Sequence, residues 1–355
     1  MNTQLNTKLN IQQQKNELYK RKVARRHRMI LAGCVALLLL SLLISMNSGY
    51  AKLTPLDTLR TLFGGGTGKE NLILFSFRLP RIVISMLIGG GLALSGCIIQ
   101  SIARNGLADP GLLGINAGAG LMVILYVMFF GAQSFLSIFT LPFLSLIGAG
   151  VTAVLVYILA FKKGEGIAPM RLVLTGVAVQ AGISALTTLL VVKLDDTQFD
   201  FVATWQAGSI WGSNWNYVLA LLPWLLLLIP YVMMKSRVLD VLNLGEDEAC
   251  GLGVAVEQER RKLLAAAVAL AASSVAVSGS ISFVGLIAPH LARRLVGPKH
   301  SILLPACALV GGVLVAVADT IARVIVQPAE IPTGIVVAVI GAPYFLYLLA
   351  KSKTA

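Results

Sequence analysis

Long runs of apolar residues, separated by short polar segments, make up most of the chain after about residue 29. Apolar and polar positions do not alternate along these runs, which excludes the strands of a membrane barrel. A helix needs about 20 mainly apolar residues to cross the hydrocarbon core of a bilayer. The pattern therefore predicts about ten membrane-spanning helices, in windows near 29–48, 82–101, 111–131, 137–160, 168–192, 215–234, 262–279, 281–296, 302–325 and 333–350.

The eighth window is short and contains Pro289, His290, Arg293 and Arg294. Because charged groups are costly in hydrocarbon, this composition is typical of a broken or partly inserted helix. Hydropathy alone therefore leaves the number of crossings at nine or ten.

Composition agrees with a membrane protein. Of the 355 residues, 57% are hydrophobic and 13% are charged, whereas a soluble domain carries about a quarter charged residues. We therefore expect an all-α, polytopic membrane protein. A polar, basic cytoplasmic tail at 1–28 precedes a single transmembrane domain at 29–355, which includes a cytoplasmic loop at about 235–261.

The positive charges show which ends of the helices face the cytoplasm. If the N-terminus is cytoplasmic, all but seven of the 29 Lys and Arg residues lie on that side. This bias follows the positive-inside rule, places both termini in the cytoplasm and favours an even number of spans, hence ten. The net charge of +13 therefore needs no nucleic-acid partner. The seven exceptions are Lys52, Arg60, Lys69, Arg78, Arg81, Lys193 and Arg323.

The basic N-terminal segment also has features of a signal peptide. Its polar region of about 28 residues and the following apolar run of about 18 both exceed the usual lengths in such peptides. We therefore expect an uncleaved first span.

Motifs for catalysis, nucleotides or metals are weak. The segment 64–70, GGGTGKE, is close to a phosphate-binding loop, but that pattern requires glycine at Phe63 and Ser or Thr at Glu70. No Ser, Cys or Asp has an identifiable partner for nucleophilic chemistry. No carboxylate or cysteine stands at metal-ligand spacing from the histidines, His27, His290 and His300. We expect no catalytic residue, no metal site and no cofactor in this chain.

The residues considered so far leave two classes of helical membrane protein to weigh, and the first is an ion- or proton-driven carrier. A proton-driven carrier needs ionisable groups near the middle of the membrane. Only Asp109 and Asp319 touch the apolar windows, and Arg323 lies one helical turn after Asp319. A structural or assembly subunit, which transports nothing itself, is the second class.

The loop between the sixth and seventh windows reads LNLGEDEACGLGVAVEQERRK. Gly245 precedes a short acidic segment and Gly251 and Gly253 follow it, which predicts a short helix between two turns. From the residues alone, this loop is either a cytoplasmic docking surface or a plain solvated connector.

Five separated motifs resemble the permease family of iron-siderophore, haem and cobalamin ABC importers, from about Leu56 to the C-terminus. One departure is Gly106, where that family usually has proline. The motifs are FRLPRIV at 77–83, GCIIQSIARNGLADPGLLGINAGAG at 96–120, the L-G-x-x-x-A-x-x-L-G run at 244–253, GSISFVGLIAPHLARRLVG at 279–297, and ADTIAR with EIPTGIVVAVIGAPYFLYLL near the end.

This resemblance implies a protein of the bacterial plasma membrane, with ten helices per subunit and two permease subunits, identical or different, around a central pathway. Two cytoplasmic ATPases would bind ATP and Mg, and an extracytoplasmic binding protein would deliver the cargo. The cargo implied is a chelated metal, first a ferric siderophore, with haem or cobalamin as alternatives. The wall of the pathway is expected around the fifth, eighth and tenth windows.

The resemblance also implies two sets of site residues. At the outer face, Arg78, Arg81 and Arg323 match arginines that pair with glutamates of the binding protein; anchoring to lipid headgroups, or an internal pair of Arg323 with Asp319, are the alternatives. At the inner face, a coupling helix is expected to dock an apolar face on the ATPase. The residues that match this helix are Leu244, Gly245, Ala249, Leu252 and Gly253.

Overall fold

The computed structural model describes residues 2–49, 53–131, 137–162, 166–167, 169–210 and 212–352. Lys52, one of the predicted outer basic residues, lies outside this part of the chain. Each of the ten predicted windows coincides with one helix, so the prediction of a polytopic helical protein is confirmed. The bounds of the elements follow in chain order.

The first half contains α1 (Asn2–Asn47), α2 (Pro55–Leu62), α3 (Gly68–Asn71), a π-helical segment (Leu72–Arg78), α4 (Leu79–Ala103), a 3-10 turn (Pro110–Leu113), α5 (Ile115–Phe130), α6 (Ser137–Ala160), the strands β1 (Phe161–Lys162) and β2 (Gly166–Ile167), and α7 (Pro169–Val191). The second half contains α8 (Asp196–Gln206), α9 (Trp215–Met234), α10 (Ser236–Leu242), α11 (Glu246–Gly251), α12 (Val256–Ser278), α13 (Val284–Val296), α14 (His300–Val324) and α15 (Thr333–Ser352). The two strands pair antiparallel and are the one departure from an all-α chain among the described residues.

Eight of the described helices are long and apolar enough to cross a membrane. The other two helices at predicted windows are shorter: α5 has 16 residues and α13 has 13. Helix α13 begins after Phe283, whose φ of +68° is a left-handed backbone conformation. The expectation of a shortened eighth segment is therefore confirmed, and the helix is entered through a turn.

Helix α4 lies at the centre of the bundle and packs against α12, α13 and α14. Small residues make this possible, because a Cβ at Gly96 would lie 1.9 Å from the carbonyl oxygen of Gly285 on α13. A Cβ at Gly89 would lie 2.1 Å from the carbonyl oxygen of Gly311 on α14. Backbones that approach so closely leave no room for any side chain. Helix α4 is therefore the central element around which the other helices are arranged.

Contacts between helix ends divide the bundle into two faces. At one, which we call the Arg81 end, α1 and α14 finish and α4 and α15 begin, and Arg81 contacts Asp319. At the opposite His300 end, α4 finishes, α14 begins and His300 contacts Ser101. Since α1 finishes and α15 begins at the Arg81 end, the amino end of α1 and the carboxyl end of α15 share the His300 end. This arrangement fits an even number of crossings.

Candidate functional site

Arg81, in the first turn of α4, lies at the centre of a charged cluster. Its Nη2 is 2.9 Å and its Nε 3.0 Å from Asp319 Oδ1, and its Nη1 is 2.7 Å from Glu330 Oε2. The hydroxyl of Thr333 donates to the same Asp319 oxygen at 3.1 Å. Asp319 is 0% exposed, and a buried carboxylate is tolerated only with such donors. The cluster therefore joins α4, α14 and the start of α15.

Arg323, one turn after Asp319 on α14, extends this cluster toward α1. Its Nε donates to Asp319 Oδ2 at 3.1 Å, and its Nη2 bonds the hydroxyl of Ser45. Two arginines thus share one carboxylate, and Glu330 supplies a second negative charge beside them. The internal pair of Arg323 with Asp319, one of the alternatives from the sequence, is confirmed.

Arg78 is the third predicted docking residue and ends the π-helical segment. Its Nη1 donates to the carbonyl oxygen of Met46 on α1. Arg78, Arg81 and Arg323 are 6%, 8% and 6% exposed. The structure therefore brings the three arginines together at one end, but buries them and pairs Arg81 and Arg323 with carboxylates of the same chain. Their role in docking stays a prediction.

The sequence did not single out Glu330, Thr333 or Ser45 as members of this cluster. Arg81 and Asp319 are 238 residues apart, and no local periodicity reports a contact over that distance. The signal that was available is the motif EIPTG near the end of the chain, which places a carboxylate and a hydroxyl just before α15.

A cavity of about 660 Å³ opens beside Glu330 at the Arg81 end. Its wall combines aromatic rings, hydroxyls and carboxylates, which is the mixture found where ligands or protruding partner groups bind. Its lining includes Asp200, Thr204, Trp205, Tyr217 and Glu330.

At the His300 end, the segment of α10 and α11 forms the predicted coupling region. Gly245 has φ of +154° and Gly253 has φ of +80°, so the chain turns at both positions in conformations that favour glycine. Leu244 and Leu252 are 64% and 63% exposed, whereas Ala249 is 0% exposed. The expectation that these three residues form one docking face is wrong for Ala249, which faces the bundle because it must anchor a six-residue helix. The role of all five residues in coupling stays a prediction.

Ion pairs attach this coupling region to α12. Lys235 Nζ lies 2.6 Å from Glu259 Oε2, and Arg260 pairs with Glu246 at the start of α11. The hydrogen bond to Glu259 raises the pKa of the Lys235 ammonium. The region is therefore held to one helix just before α10 and at the start of α11.

Ser101, His300 and Asp240 form a hydrogen-bonded series that the sequence did not reveal. Ser101 Oγ lies 2.7 Å from His300 Nε2, and His300 Nδ1 lies 2.7 Å from Asp240 Oδ1. Ser101 had no identifiable partner in the sequence, because the three segments that converge there are far apart in the chain. Ser101 and His300 are 2% and 0% exposed, so no substrate reaches this hydroxyl and the series is structural in form.

Asp109 lies in the segment between α4 and α5, and its pKa is shifted. Burial raises the pKa of the Asp109 carboxyl to about 6, while the hydrogen bond from the Gly111 amide works in the opposite direction. Among the residues that the structure describes, no group of three or more His, Cys, Asp or Glu side chains could hold a metal ion.

These features define a class: a polytopic helical membrane protein whose charged clusters lie at the two ends of a glycine-packed bundle. The chain belongs to the FecCD transport family, whose model matches residues 37–351. The resemblance inferred from the five motifs is therefore confirmed.

Relatives cover almost the whole chain. It is 49% identical over 328 residues to the iron(3+)-hydroxamate import system permease protein FhuG of Bacillus subtilis, covering 91% of this chain and 97% of that protein. It is 36% identical to the Fe(3+) dicitrate transport system permease protein FecD of Escherichia coli, covering 91% and 96%, and 37% identical to the hemin transport system permease protein HmuU of Yersinia pestis, covering 89% and 95%.

A solved structure shares the fold. It shows a metal-chelate type ABC transporter in an inward-facing conformation, with a TM-score of 0.80 and 34% identity, covering 91% of this chain and 99% of that one. The arrangement of helices described above is thus that of a transporter permease.

Proposed function

We propose that the chain is the membrane-spanning permease subunit of an ATP-binding-cassette importer that carries a ferric siderophore into a bacterial cell. The observation that carries this proposal is the 49% identity to a ferric hydroxamate permease over nearly the full length of both proteins. The named ferric citrate and hemin permeases share 36% and 37%. A ferric hydroxamate is therefore the first cargo to test.

The complex would contain two permeases, two cytoplasmic ATPases and an extracytoplasmic binding protein. Helix α7 supports the pairing of permeases, because only 11% of its apolar window is buried in the chain, against 83% for the segment that includes α4. A span so poorly covered faces lipid or a second subunit. Its exposed face includes the small residues Ala181, Gly182, Ser184 and Ala185, which allow close helix approach.

The two ends of the bundle would have different partners. The Arg81 end, with its arginines and its cavity, would face outward and receive the binding protein. The His300 end would face the cytoplasm, which agrees with the basic residues of α12 and α13 there and puts both termini inside. Exposed Leu244 and Leu252 would insert into the ATPase, and the ATPase would bind ATP and Mg.

Transport would follow from alternating access, without covalent chemistry in this chain. Closure of the two ATPases on ATP would move the coupling regions of two permeases, and the pathway between them would change from outward-open to inward-open. An ion-driven carrier would instead need a charge free to exchange protons in mid-membrane. Asp319 does not fit that role, because it lies at a helix end and is held by two arginines.

Cellular uptake tests the proposal. Iron-starved cells with and without the gene are given radiolabelled ferric hydroxamate, ferric citrate or hemin. We expect loss of ferric hydroxamate uptake without the gene, restored by the gene and abolished when the partner ATPase is inactivated. Loss of hemin uptake alone would change the cargo, and uptake that survives ATPase inactivation would reject the ABC mechanism.

A further inference from the structure

The coupling region has a third attachment, which differs from the ion pairs to α12. Asp240, in the middle of α10, accepts a hydrogen bond from the His300 backbone amide at 2.8 Å and faces His300 Nδ1 at 2.7 Å. The carboxylate therefore satisfies the first turn of α14 in place of an N-cap side chain, since Lys299 supplies none. Asp240 thus fixes α10 to the start of a central span.

His300 passes this attachment on to α4. The carboxylate opposite Nδ1 keeps a proton on that nitrogen, and Nε2 lies 2.7 Å from the hydroxyl of Ser101 near the end of α4. The ring is fully buried, so water does not compete for either nitrogen. The series of Asp240, His300 and Ser101, which we call the latch, joins α10, α14 and α4 through one side chain.

The two helices that the latch reaches are also clamped at their other ends. Arg81 of α4 binds Asp319 of α14, and between the clamps Gly89 and Gly311 bring the two backbones into direct contact. Arg81 and Ser101 lie about 30 Å apart along α4, at about 1.5 Å per residue. Helices α4 and α14 are therefore fastened at both faces of the membrane and in the middle.

We propose that His300 is a positioning residue that transmits movement of the coupling region into the α4–α14 pair, a role that rests on the proposed function. The attachments through Glu259 and Glu246 hold the coupling region to α12. Helix α10 also packs directly against α4 and α14, and the latch adds a directional polar connection to that pair. Without the latch, α10 and α11 still dock on the ATPase, but less of their displacement is conveyed to the pair.

Two substitutions, one in each partner, remove the contact between Ser101 and His300. Ser101→Ala removes the link to α4, and His300→Asn keeps an amide near Asp240 but is too short to reach Ser101. The matched control is Ser85→Ala, because Ser85 lies in α4, is 0% exposed and donates to Ile82 O of its own helix at 2.8 Å. A second control, His27→Asn, changes the same residue type outside the latch.

The experiment uses the complete complex with its ATPase and binding protein in proteoliposomes, loaded with a ferric hydroxamate. We expect Ser101→Ala and His300→Asn to retain stimulated ATP hydrolysis while cargo moved per ATP falls about fivefold, the factor that corresponds to one hydrogen bond. Both controls should keep the ratio of the unaltered complex. A residue with only a structural role would lower both rates together and leave this ratio unchanged.

Each result decides between the proposals. An unchanged ratio in Ser101→Ala, with or without a lower melting temperature, overturns the latch and leaves the proposed function standing. If His300→Asn does not assemble, Ser101→Ala decides alone. Absence of ATP-driven uptake by the unaltered complex overturns the proposed function and the latch with it.

Discussion

At the scale of single residues, Asp319 is a buried carboxylate that depends on hydrogen-bond donors from other side chains. It is fully buried and accepts hydrogen bonds from Arg81, Arg323 and Thr333. Such a carboxylate balances two guanidinium groups that are themselves more than nine-tenths buried. Removing its charge therefore costs more free energy of unfolding than breaking an exposed ion pair.

We predict that Asp319→Asn destabilises the purified permease by about 3 kcal/mol, because two buried positive charges lose their shared partner. The measurement is thermal unfolding in detergent. The control is Glu330→Gln, whose side chain is 31% exposed and whose loss should cost clearly less. Equal effects of the two variants would show that burial does not set the energy of this cluster.

The docking prediction changes once these contacts are known. Arg81→Glu would place a carboxylate against Asp319 and Glu330, so its effect on binding could not be separated from damage to the cluster. Arg78 is the better probe, because it lies on the π-helical segment before the helix that carries Arg81, and its Nη1 donates to a backbone carbonyl of α1.

We therefore predict that Arg78→Gln weakens binding-protein affinity about tenfold at low salt, through the loss of one charged contact at an interface. Affinity is measured with the permease in nanodiscs at two salt concentrations. Arg60→Gln is the control, since Arg60 is exposed in α2 and is not among the predicted docking residues. Unchanged affinity of Arg78→Gln at low salt would remove Arg78 from the docking surface.

Residue-level prediction from sequence succeeded where the partners are neighbours in the chain and failed where they are distant. The pair of Asp319 and Arg323 follows from helical spacing. The contacts of Arg81 with Asp319 and of Ser101 with His300 depend on which helices are adjacent, and hydropathy does not encode adjacency. The burial of Ala249 was not foreseen for a related reason, because a six-residue helix is too short for periodicity to identify its buried side.

At the scale of elements, glycine sets how closely the central helices pack. We predict that Gly96→Ala prevents stable folding, because its Cβ would lie 1.9 Å from a backbone oxygen that cannot move independently of α13. Yield and melting temperature in detergent are the measurements. Gly33→Ala in α1, where nothing lies within 4 Å of the added Cβ, should be neutral or slightly stabilising. A normal yield of Gly96→Ala would contradict the described contact.

The coupling region gives opposite expectations for its exposed and buried residues. We predict that Leu252→Lys reduces co-purification of the ATPase while leaving the melting temperature of the permease unchanged, because Leu252 is 63% exposed. Ala249→Arg should instead lower the melting temperature, because its side chain has no space. Full ATPase recovery with Leu252→Lys would exclude this leucine from the interface.

Element-level prediction was accurate for the spans and poor between them. All ten windows became helices because each must satisfy its own backbone in hydrocarbon. Helix α8 and the π-helical start of the α4 segment were not predicted, since polar connections give no comparable constraint. The short α13 was expected from its Pro and Arg residues, but the left-handed Phe283 that shortens it was not.

At the scale of the whole molecule, charge asymmetry and helix order carried most of the information. The basic residues indicated which ends of the spans share a side, and the structure places the same ends together at the Arg81 and His300 ends. Membership of the FecCD family then identifies this bundle as a permease. Whether the proposed second permease subunit is identical to this one depends on an interface with another chain, and the sequence of one chain carries no signal for it.

The fastening of α4 to α14 has a mechanical consequence. Two helices joined only by smooth packing can slide past each other and lose a displacement on the way across the membrane. Here the ends of α4 and α14 are joined, and the backbones of Gly89 and Gly311 touch near the middle of both helices. The pair therefore resists sliding and moves as one rigid body, so a displacement applied at the His300 end reaches the Arg81 end undiminished.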